Sequence, residues 1–150
     1  MARLGWILFL IMTLISSGLV YKFIIKGETE VAPDGRTTLL FNDSERAFFL
    51  NEMRNFLIAV QKISEGIEKD DMAMVTAAAK KVGSGDLAHV PTGIMAKLPL
   101  ATKKMGLSTH KAFDQLAMDA EQLGDKDHAL TQLNQILPTC TACHALYKVR

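Results

Sequence analysis

The two cysteines of the chain and one of its four histidines lie together near the C-terminus. Cys140 and Cys143 are three residues apart, and His144 follows directly. On a helix, this spacing lets both thiols and the imidazole reach one flat ligand. A Cys-x-x-Cys-His run is the attachment signature of haem c, in which the thiols form thioethers and the imidazole binds the iron. The sequence therefore predicts one covalent haem c with His144 as axial ligand of the iron.

Two other chemistries use paired cysteines. A thiol redox pair normally follows a strand of a thioredoxin-like fold, and the sequence shows no strand pattern with a period of two. A structural zinc site needs four ligands, whereas the chain has one adjacent His and no second cysteine pair. We interpret His89, His110 and His128 as surface residues, because none is paired with a second ligand at metal spacing. Haem attachment is favoured over both alternatives.

The N-terminal segment is apolar. Residues 4–21 contain no charged side chain, and their length is close to that needed to span a bilayer. Trp6 and Tyr21 lie near the two ends, where amphipathic rings prefer the membrane interface. We expect residues 1–26 to be a retained membrane anchor. A cleaved signal peptide is the alternative, although the segment lacks an Ala-x-Ala cleavage site.

The charges that flank the apolar segment and the cysteine motif predict opposite orientations in the membrane. Lys22 and Lys26 follow the apolar run and Arg3 precedes it, so the positive-inside rule would place the C-terminal side in the cytoplasm. Haem c is attached outside the cytoplasm, and we let the motif decide. We expect a single-pass inner-membrane protein with its haem domain in the periplasm.

Charge and composition exclude several functions. The formal net charge is +1, and residues 1–26 hold three basic residues and no acid, so the remainder is slightly acidic. No basic run with interleaved aromatic residues is present, so we expect no nucleic-acid partner. The sequence shows no nucleophile–base pair, carboxylate dyad or phosphate loop, and we expect the protein not to be an enzyme.

The remaining sequence predicts a linker and an all-α domain. Residues 27–41 form the predicted linker, with a turn at 33–35, and it is long enough for the domain to sweep over the membrane. Residues 42–150 predict an antiparallel four-helix bundle. Asn42 and Glu45 indicate a capping box at the start of a helix that ends near Ile67.

Local start and stop signals predict the other helix boundaries. We expect the second helix from Asp70 to Gly83, short helical turns at 92–97 and 100–105 in a connection spanning 83–107, a third helix from Ser108 to Gly124, and a last helix starting near Asp125 or Asp127. Apolar spacing on the first helix indicates a core face through Leu50, Met53, Leu57, Val60 and Ile67.

The last helix carries the motif on its apolar face. Its 3,4,3,4,3 spacing joins the following residues: Leu130, Leu133, Leu137, Cys140, His144 and Tyr147. We therefore expect the haem to fill the interior of the bundle. Pro138 removes one backbone donor, so either the helix kinks or Pro138 begins a separate short helix.

A four-helix body with one Cys-x-x-Cys-His near the C-terminus resembles the cytochrome c′ family. The family motif continues with an aromatic and a basic residue, matched here by Tyr147 and Lys148. Arg46, Leu50 and Met53 are similar to the haem-facing pattern of the family's first helix. The resemblance covers residues 42–150 and implies that Lys148 lies close to the proximal His.

The resemblance also implies the state of the iron. The position matched by Leu50 faces the open side of the iron in five-coordinate members, and a Met there ligates the iron in low-spin members. With Leu50 in place, we expect five-coordinate, high-spin ferric haem, and Met53 as sixth ligand is the rival. Arg46 is expected either to contact a haem propionate or to be solvated.

The predicted function is single-electron transfer in a periplasmic respiratory chain, with the lipid bilayer and redox proteins as partners. Binding or scavenging of NO or CO is the alternative. A third possibility is a haem subunit of a larger membrane complex, indicated by Ser16, Ser17 and Gly18 in the span. Members of the family often dimerise through the first two helices, so a homodimer stays open.

Overall fold

The computed structural model describes residues 2–150 and is mostly helical. Its α-helices and strands follow in the order α1 (Ala2–Val20), β1 (Thr29–Val31), β2 (Thr37–Leu39), α2 (Asp43–Glu68), α3 (Met72–Lys80), α4 (Thr92–Lys97), α5 (Leu100–Leu123), α6 (Lys126–Leu146) and β3 (Tyr147–Val149), and a 3₁₀ helix, Ser84–His89, lies between α3 and α4. The all-α expectation is confirmed in its main feature, and a small sheet is added to it.

The N-terminal helix has no packing partner along most of its length. It continues from α1 through a π-helical stretch, Tyr21–Lys26. Among the residues that the structure describes, Arg3–Lys26 is the one helix long and apolar enough to cross a membrane by length and composition. None of it is buried against the rest of the protein.

Residues 27–41 are not a free linker. β1 pairs antiparallel with β2, and β2 pairs parallel with β3, so the chain that follows the N-terminal helix forms one sheet with the C-terminal strand. The turn predicted at 33–35 is confirmed, with Gly35 at φ 84° and its N–H donating to the Ala32 carbonyl. The expectations of no strand and of a sweeping linker are wrong, because strands of three residues are too short to show an alternating pattern.

The capping signals in the sequence predicted the ends of the first domain helix well and those of the second less well. α2 has the full capping box between Asn42 and Glu45. The cap of α3 is Asp71 and not Asp70, which adopts a left-handed backbone with φ 57°. α3 also ends at Lys80, three residues before the expected stop at Gly83.

α5 is one long helix instead of a loop followed by a helix. It starts at Leu100 and runs without a break past Gly106 and Ser108. Ser108 is therefore not a cap, and its hydroxyl donates to the Met105 carbonyl at 2.9 Å. Packing on α3 and α6 outweighs the helix cost of a glycine, about 1 kcal/mol. The end at left-handed Gly124 and the Asp125 cap of α6 are confirmed.

Four helices share the main core. α2 packs on α3, α3 on α5, α5 on α6, and α6 on α2. The largest fully buried side chains of this core are Ile63, Val75, Val82, Phe113 and Leu116. A second, smaller cluster under the sheet contains Leu39, Ile94 and Leu98.

Outside the cysteine motif, three side chains differ from their expected burial. Leu57 and Leu130 were expected in the core and are 70% and 43% exposed. His110 was expected at the surface and is buried, with Nδ1 at 2.8 Å from the Val82 carbonyl. Apolar spacing identifies the face of a helix but not where along it the neighbouring helices lie.

Candidate haem-attachment site

The motif lies on the last two turns of one continuous helix. α6 runs from Lys126 to Leu146 with Pro138 inside it, so the alternative of a separate short helix is wrong. The Thr141 hydroxyl donates to the Pro138 carbonyl at 3.0 Å. Cys140, Cys143 and His144 are therefore positioned by the same helical segment, directly before the chain enters β3.

The two cysteines are free and half-buried. Desolvation raises the pKa of the Cys140 thiol and of the Cys143 thiol. Both groups are thus neutral thiols at physiological pH. Redox-active Cys-x-x-Cys pairs instead contain a thiol with a lowered pKa, because the thiolate is the reactive form. This environment favours attachment of a ligand over a thiol redox pair.

His144 is at the surface, in contrast to its expected place on the core seam. On that seam Leu133 is buried and Cys140 is half-buried, whereas Leu130 and His144 are exposed. The backbone carbonyl of His144 accepts a hydrogen bond from Arg36 Nη1 at 3.4 Å. The expectation that the imidazole faces the bundle interior is therefore not met in this structure.

The residues expected on the distal side lie at the same end of the helical domain as the motif. Lys97, just before α5, contacts Glu45 in the first turn of α2 at 2.6 Å, so α2 and α5 begin at the same end. α6 ends there, because β3 pairs with β2 and β2 leads into α2. We call this the motif end of the domain.

Ring contacts show how far along the helices the expected distal residues, Leu50 and Met53, lie. The Phe56 ring lies 5.0 Å from the His110 ring and 5.6 Å from the Phe113 ring, measured between centroids. Leu50, six residues earlier on α2, is about 9 Å closer to the motif end. Leu50 and Met53 are half-buried, and Arg46 is exposed.

On α6, the side chain of Gln132 is hydrogen-bonded to Asp119 of α5. Cys143 is eleven residues further, about 16 Å toward the motif end. α5 runs in the opposite direction to α6, so the same distance toward the motif end from Asp119 ends at Ser108. Cys143 is therefore level with Ser108 of α5. The motif therefore lies within a few turns of the level of Leu50 and Met53.

Lys148 takes part in a polar cluster that the sequence did not reveal. Its ammonium lies 3.6 Å from Asp34, and Asp34 also pairs with Arg36 at 2.8 Å. Hydrogen bonds from Arg36, together with the charges of Arg36 and Lys148, lower the pKa of Asp34 to about 2. We call Asp34, Arg36 and Lys148 the hairpin clasp, because they join the β1–β2 turn to the residues that follow the motif. No local signal in the sequence identifies Asp34 and Arg36 as members of the site.

The residues of the motif end suit a flat, largely apolar group attached to α6. Two neutral thiols three residues apart supply thioether positions, and the adjoining imidazole supplies a nitrogen ligand. Half-buried apolar side chains lie on α2 and α6 at this end: Phe49, Leu50, Met53 and Leu137. Phe49 packs against the small cluster under the sheet and Leu137 against the main core. The chemistry of this donor set therefore fits haem c.

This interpretation is based on the residues themselves. Among the side chains that the structure describes, no group of three or more His, Cys, Asp or Glu residues is arranged to hold a metal ion. Comparison of the chain with protein-family models, with curated proteins and with solved structures finds no match.

Proposed function

We propose that this protein is a membrane-anchored c-type cytochrome, similar to the cytochrome c′ family, that transfers single electrons in the periplasm. The observation that carries the proposal is the Cys140–His144 segment on the final turns of α6, at the level of half-buried apolar residues of α2. The ring of contacts among α2, α3, α5 and α6 supports an antiparallel four-helix bundle around this site.

Each residue of the site has a proposed task. Cys140 and Cys143 hold the haem through thioethers, and His144 binds its iron. When bound, the haem supplies reversible one-electron chemistry, at a potential set by ligands, burial and hydrogen bonds. The hairpin clasp fixes the backbone after the motif, since Arg36 bonds the His144 carbonyl and Lys148 is paired with Asp34. Arg46 is exposed and is free to pair with a propionate.

Binding of NO or CO is a second candidate function. Leu50 and Met53 offer an apolar surface at the motif end, and this surface favours small neutral ligands over polar ones. The five-coordinate state with Leu50 over the iron would admit such gases. A Met53–iron bond would instead block them and favour the carrier function.

The close junction between the anchor and the domain is an argument for a redox partner within the membrane. Gly27 joins the anchor to the domain at φ 67°, and a Cβ there would collide with the Lys97 carbonyl and the Leu98–Pro99 backbone. Lys103 Nζ donates to the Phe23 carbonyl at 3.0 Å. We infer that the haem domain is in the periplasm and is held close to the bilayer, within reach of integral redox proteins.

The test is electron transfer in native membranes. We would produce the full chain with a haem-c maturation apparatus and follow reduction of its haem by a quinol-fed membrane complex. The expected result is rapid reduction in the wild type and no haem signal in the Cys140→Ala/Cys143→Ala double variant. A fully loaded protein that the complex does not reduce would contradict the carrier function.

Optical and EPR spectra with and without CO and NO separate the two candidates. Soret bands that do not change with either gas would remove the gas-binding function. The Met53→Leu variant is the matched control for a sixth ligand. If Met53 binds the iron, this variant changes from low-spin to high-spin, and otherwise its spectrum equals that of the wild type.

A further inference from the structure

Four lysines meet where the anchor helix joins the domain. Lys22 and Lys26 lie on the last turns of the anchor, and Lys103 and Lys104 on the first turn of α5. The bond from Lys103 to the Phe23 carbonyl, at 3.0 Å, brings the two pairs together. Neither pair has a role in the proposed haem site. We call these four residues the lysine collar.

The collar lacks internal counter-charges. The basic groups of the neighbouring sheet and α4 are ion-paired with carboxylates: Lys97 with Glu45 and Glu28, Arg36 and Lys148 with Asp34, and Arg150 with Glu30. By contrast, Lys22, Lys26 and Lys104 are exposed and form no ion pair with any described residue. Lys103 contacts a carbonyl, which carries no net charge. The protein thus presents four uncompensated positive charges at one place.

The N-terminus of α5 adds further positive charge next to the lysine collar. Its N-cap is Pro99, which has no side-chain acceptor, and the first turn contains no acidic residue. A helix N-terminus carries a positive partial charge from its unpaired N–H groups. This charge adds to the field of Lys103 and Lys104 and does not offset it.

We propose that the lysine collar binds the phosphate groups of anionic phospholipids in the leaflet next to the domain, so that the first turn of α5 rests on the membrane. This inference depends on the proposed insertion of α1 in a bilayer. Anionic lipids attract a nearby lysine by about 1 kcal/mol, which corresponds to about fivefold in relative association for each lysine.

The depth of the collar favours lipid over an acidic protein. Lys22 follows the apolar run directly, and Lys26 is about one turn further, so both are at the level of the headgroups. Lys103 is bonded to the backbone between them. With α1 inserted in a bilayer, an acidic protein would have to enter between the domain and the headgroups to reach these lysines.

The test compares two triple variants with equal changes in charge. The first, Lys22→Gln/Lys26→Gln/Lys104→Gln, removes the unpaired charges of the collar and keeps the Lys103–Phe23 bond. The second, Lys81→Gln/Lys111→Gln/Lys126→Gln, removes three lysines that are also exposed and form no ion pair with a described residue. Lys126 is at the opposite end of the domain, because α6 begins there.

The haem-loaded full chain is placed in phosphatidylcholine vesicles that contain spin-labelled phosphatidylglycerol or spin-labelled phosphatidylcholine. EPR then gives the relative association of the anionic and the zwitterionic lipid. We expect several-fold selectivity for phosphatidylglycerol in the wild type and in the second variant, and little in the first variant. Equal selectivity in all three proteins, or an equal loss in both variants, would overturn the proposal.

Hydrogen exchange tests the contact of α5 separately. The amides of Ala101 and Thr102, in the uncapped first turn, should exchange several-fold more slowly in vesicles with phosphatidylglycerol than in pure phosphatidylcholine. Lys104→Gln should reduce this protection, and Lys111→Gln should not. Exchange that is independent of lipid charge, or protection that appears only with an acidic protein, would contradict lipid binding. Failure of the haem proposal would instead appear in the haem content, and failure of insertion as protein that does not float with the vesicles.

Discussion

The two ends of the helical domain are packed differently, although the same helices build both. At the end away from the motif, α2 contributes buried Ala59, Ile63 and Ile67, and α6 contributes buried Ala129 and Leu133. At the motif end, the same two helices present half-buried side chains: Phe49, Leu50, Met53, Leu137, Cys140 and Cys143. The change occurs near Phe56 on α2 and near Pro138 on α6.

If the motif end holds the proposed haem, this difference places the best-packed core and the cofactor site at different levels of the same helices. On α2 and α6, the far end contributes fully buried side chains to the main core, although Leu130 at this end is 43% exposed. The motif end has its own buried cluster under the sheet, but the apolar side chains of α2 and α6 there are only partly buried, and α6 adds two thiols and an imidazole. We infer that the first region maintains the fold and that the second is built to receive a large apolar group.

The largest expected effect is in the packed region. Phe113 is fully buried, and Phe113→Ala should reduce the free energy of unfolding by about 3–5 kcal/mol with or without haem. Urea denaturation of both forms measures this loss. A loss below about 1 kcal/mol would contradict the idea that this region maintains the fold.

The next effect is at Gly27, which joins the motif end to the anchor. Gly27→Ala should cost about 1–3 kcal/mol, because Gly27 has φ 67° and a Cβ would collide with the Lys97–Pro99 backbone. Faster amide exchange of Glu28, whose N–H bonds the Lys97 carbonyl at 2.7 Å, is the readout. Gly35→Ala is the matched control, since Gly35 also has a positive φ but nothing within 4 Å of an added Cβ.

Leu50 compares the two forms of the protein directly. Leu50 is half-buried, so Leu50→Ala should lower the free energy of unfolding of the haem-free form by about 1–2 kcal/mol, roughly half the cost at a buried site. The loss should be larger in the haem-loaded form, because haem at the motif end would cover this side chain. An equal loss in both forms would show that Leu50 does not face the haem.

A smaller effect is expected at the start of α2. Asn42→Ala removes the side chain that accepts the Glu45 N–H at 2.9 Å and should cost about 1 kcal/mol. Thermal unfolding monitored by circular dichroism measures it. Ser44→Ala, which keeps the backbone cap, should have a lesser effect, and the reverse order would contradict the assigned cap.

The smallest effect is a pH dependence of the hairpin clasp. The pKa of Asp34 is lowered from 3.8 to about 2, so its stabilising contribution is complete above about pH 4. It is lost as the pH falls through the folded pKa, toward pH 2. NMR titration of the Asp34 carboxyl should give a midpoint near 2 in the wild type and a higher one in Arg36→Gln. A wild-type midpoint at the ordinary value would show that the clasp does not form.

The sequence predicted the features that depend on neighbouring residues. The capping box at Asn42, the left-handed end at Gly124 and the cap at Asp125 each involve groups within four residues. The start of α5 was missed for the opposite reason. Gly106 and Ser108 are local breakers, and the contacts of α5 with other helices, which the sequence does not show, override them.

For the candidate site, the sequence shows only its local part. The motif itself is local, so its residues could be identified directly. The exposure of His144 and the hairpin clasp depend on contacts across the chain, and the Arg36–His144 bond joins residues 108 positions apart. These contacts depend on where the backbone runs after the N-terminal helix, and the sequence alone does not show that path.

The most direct test of the account is the mass of the intact protein after expression with a haem-c maturation apparatus. We predict one tetrapyrrole added to a peptide that contains Cys140 and Cys143, both resistant to thiol alkylation, and no addition in the double alanine variant. Unmodified, alkylatable thiols in the correctly localised wild-type protein would contradict the central claim.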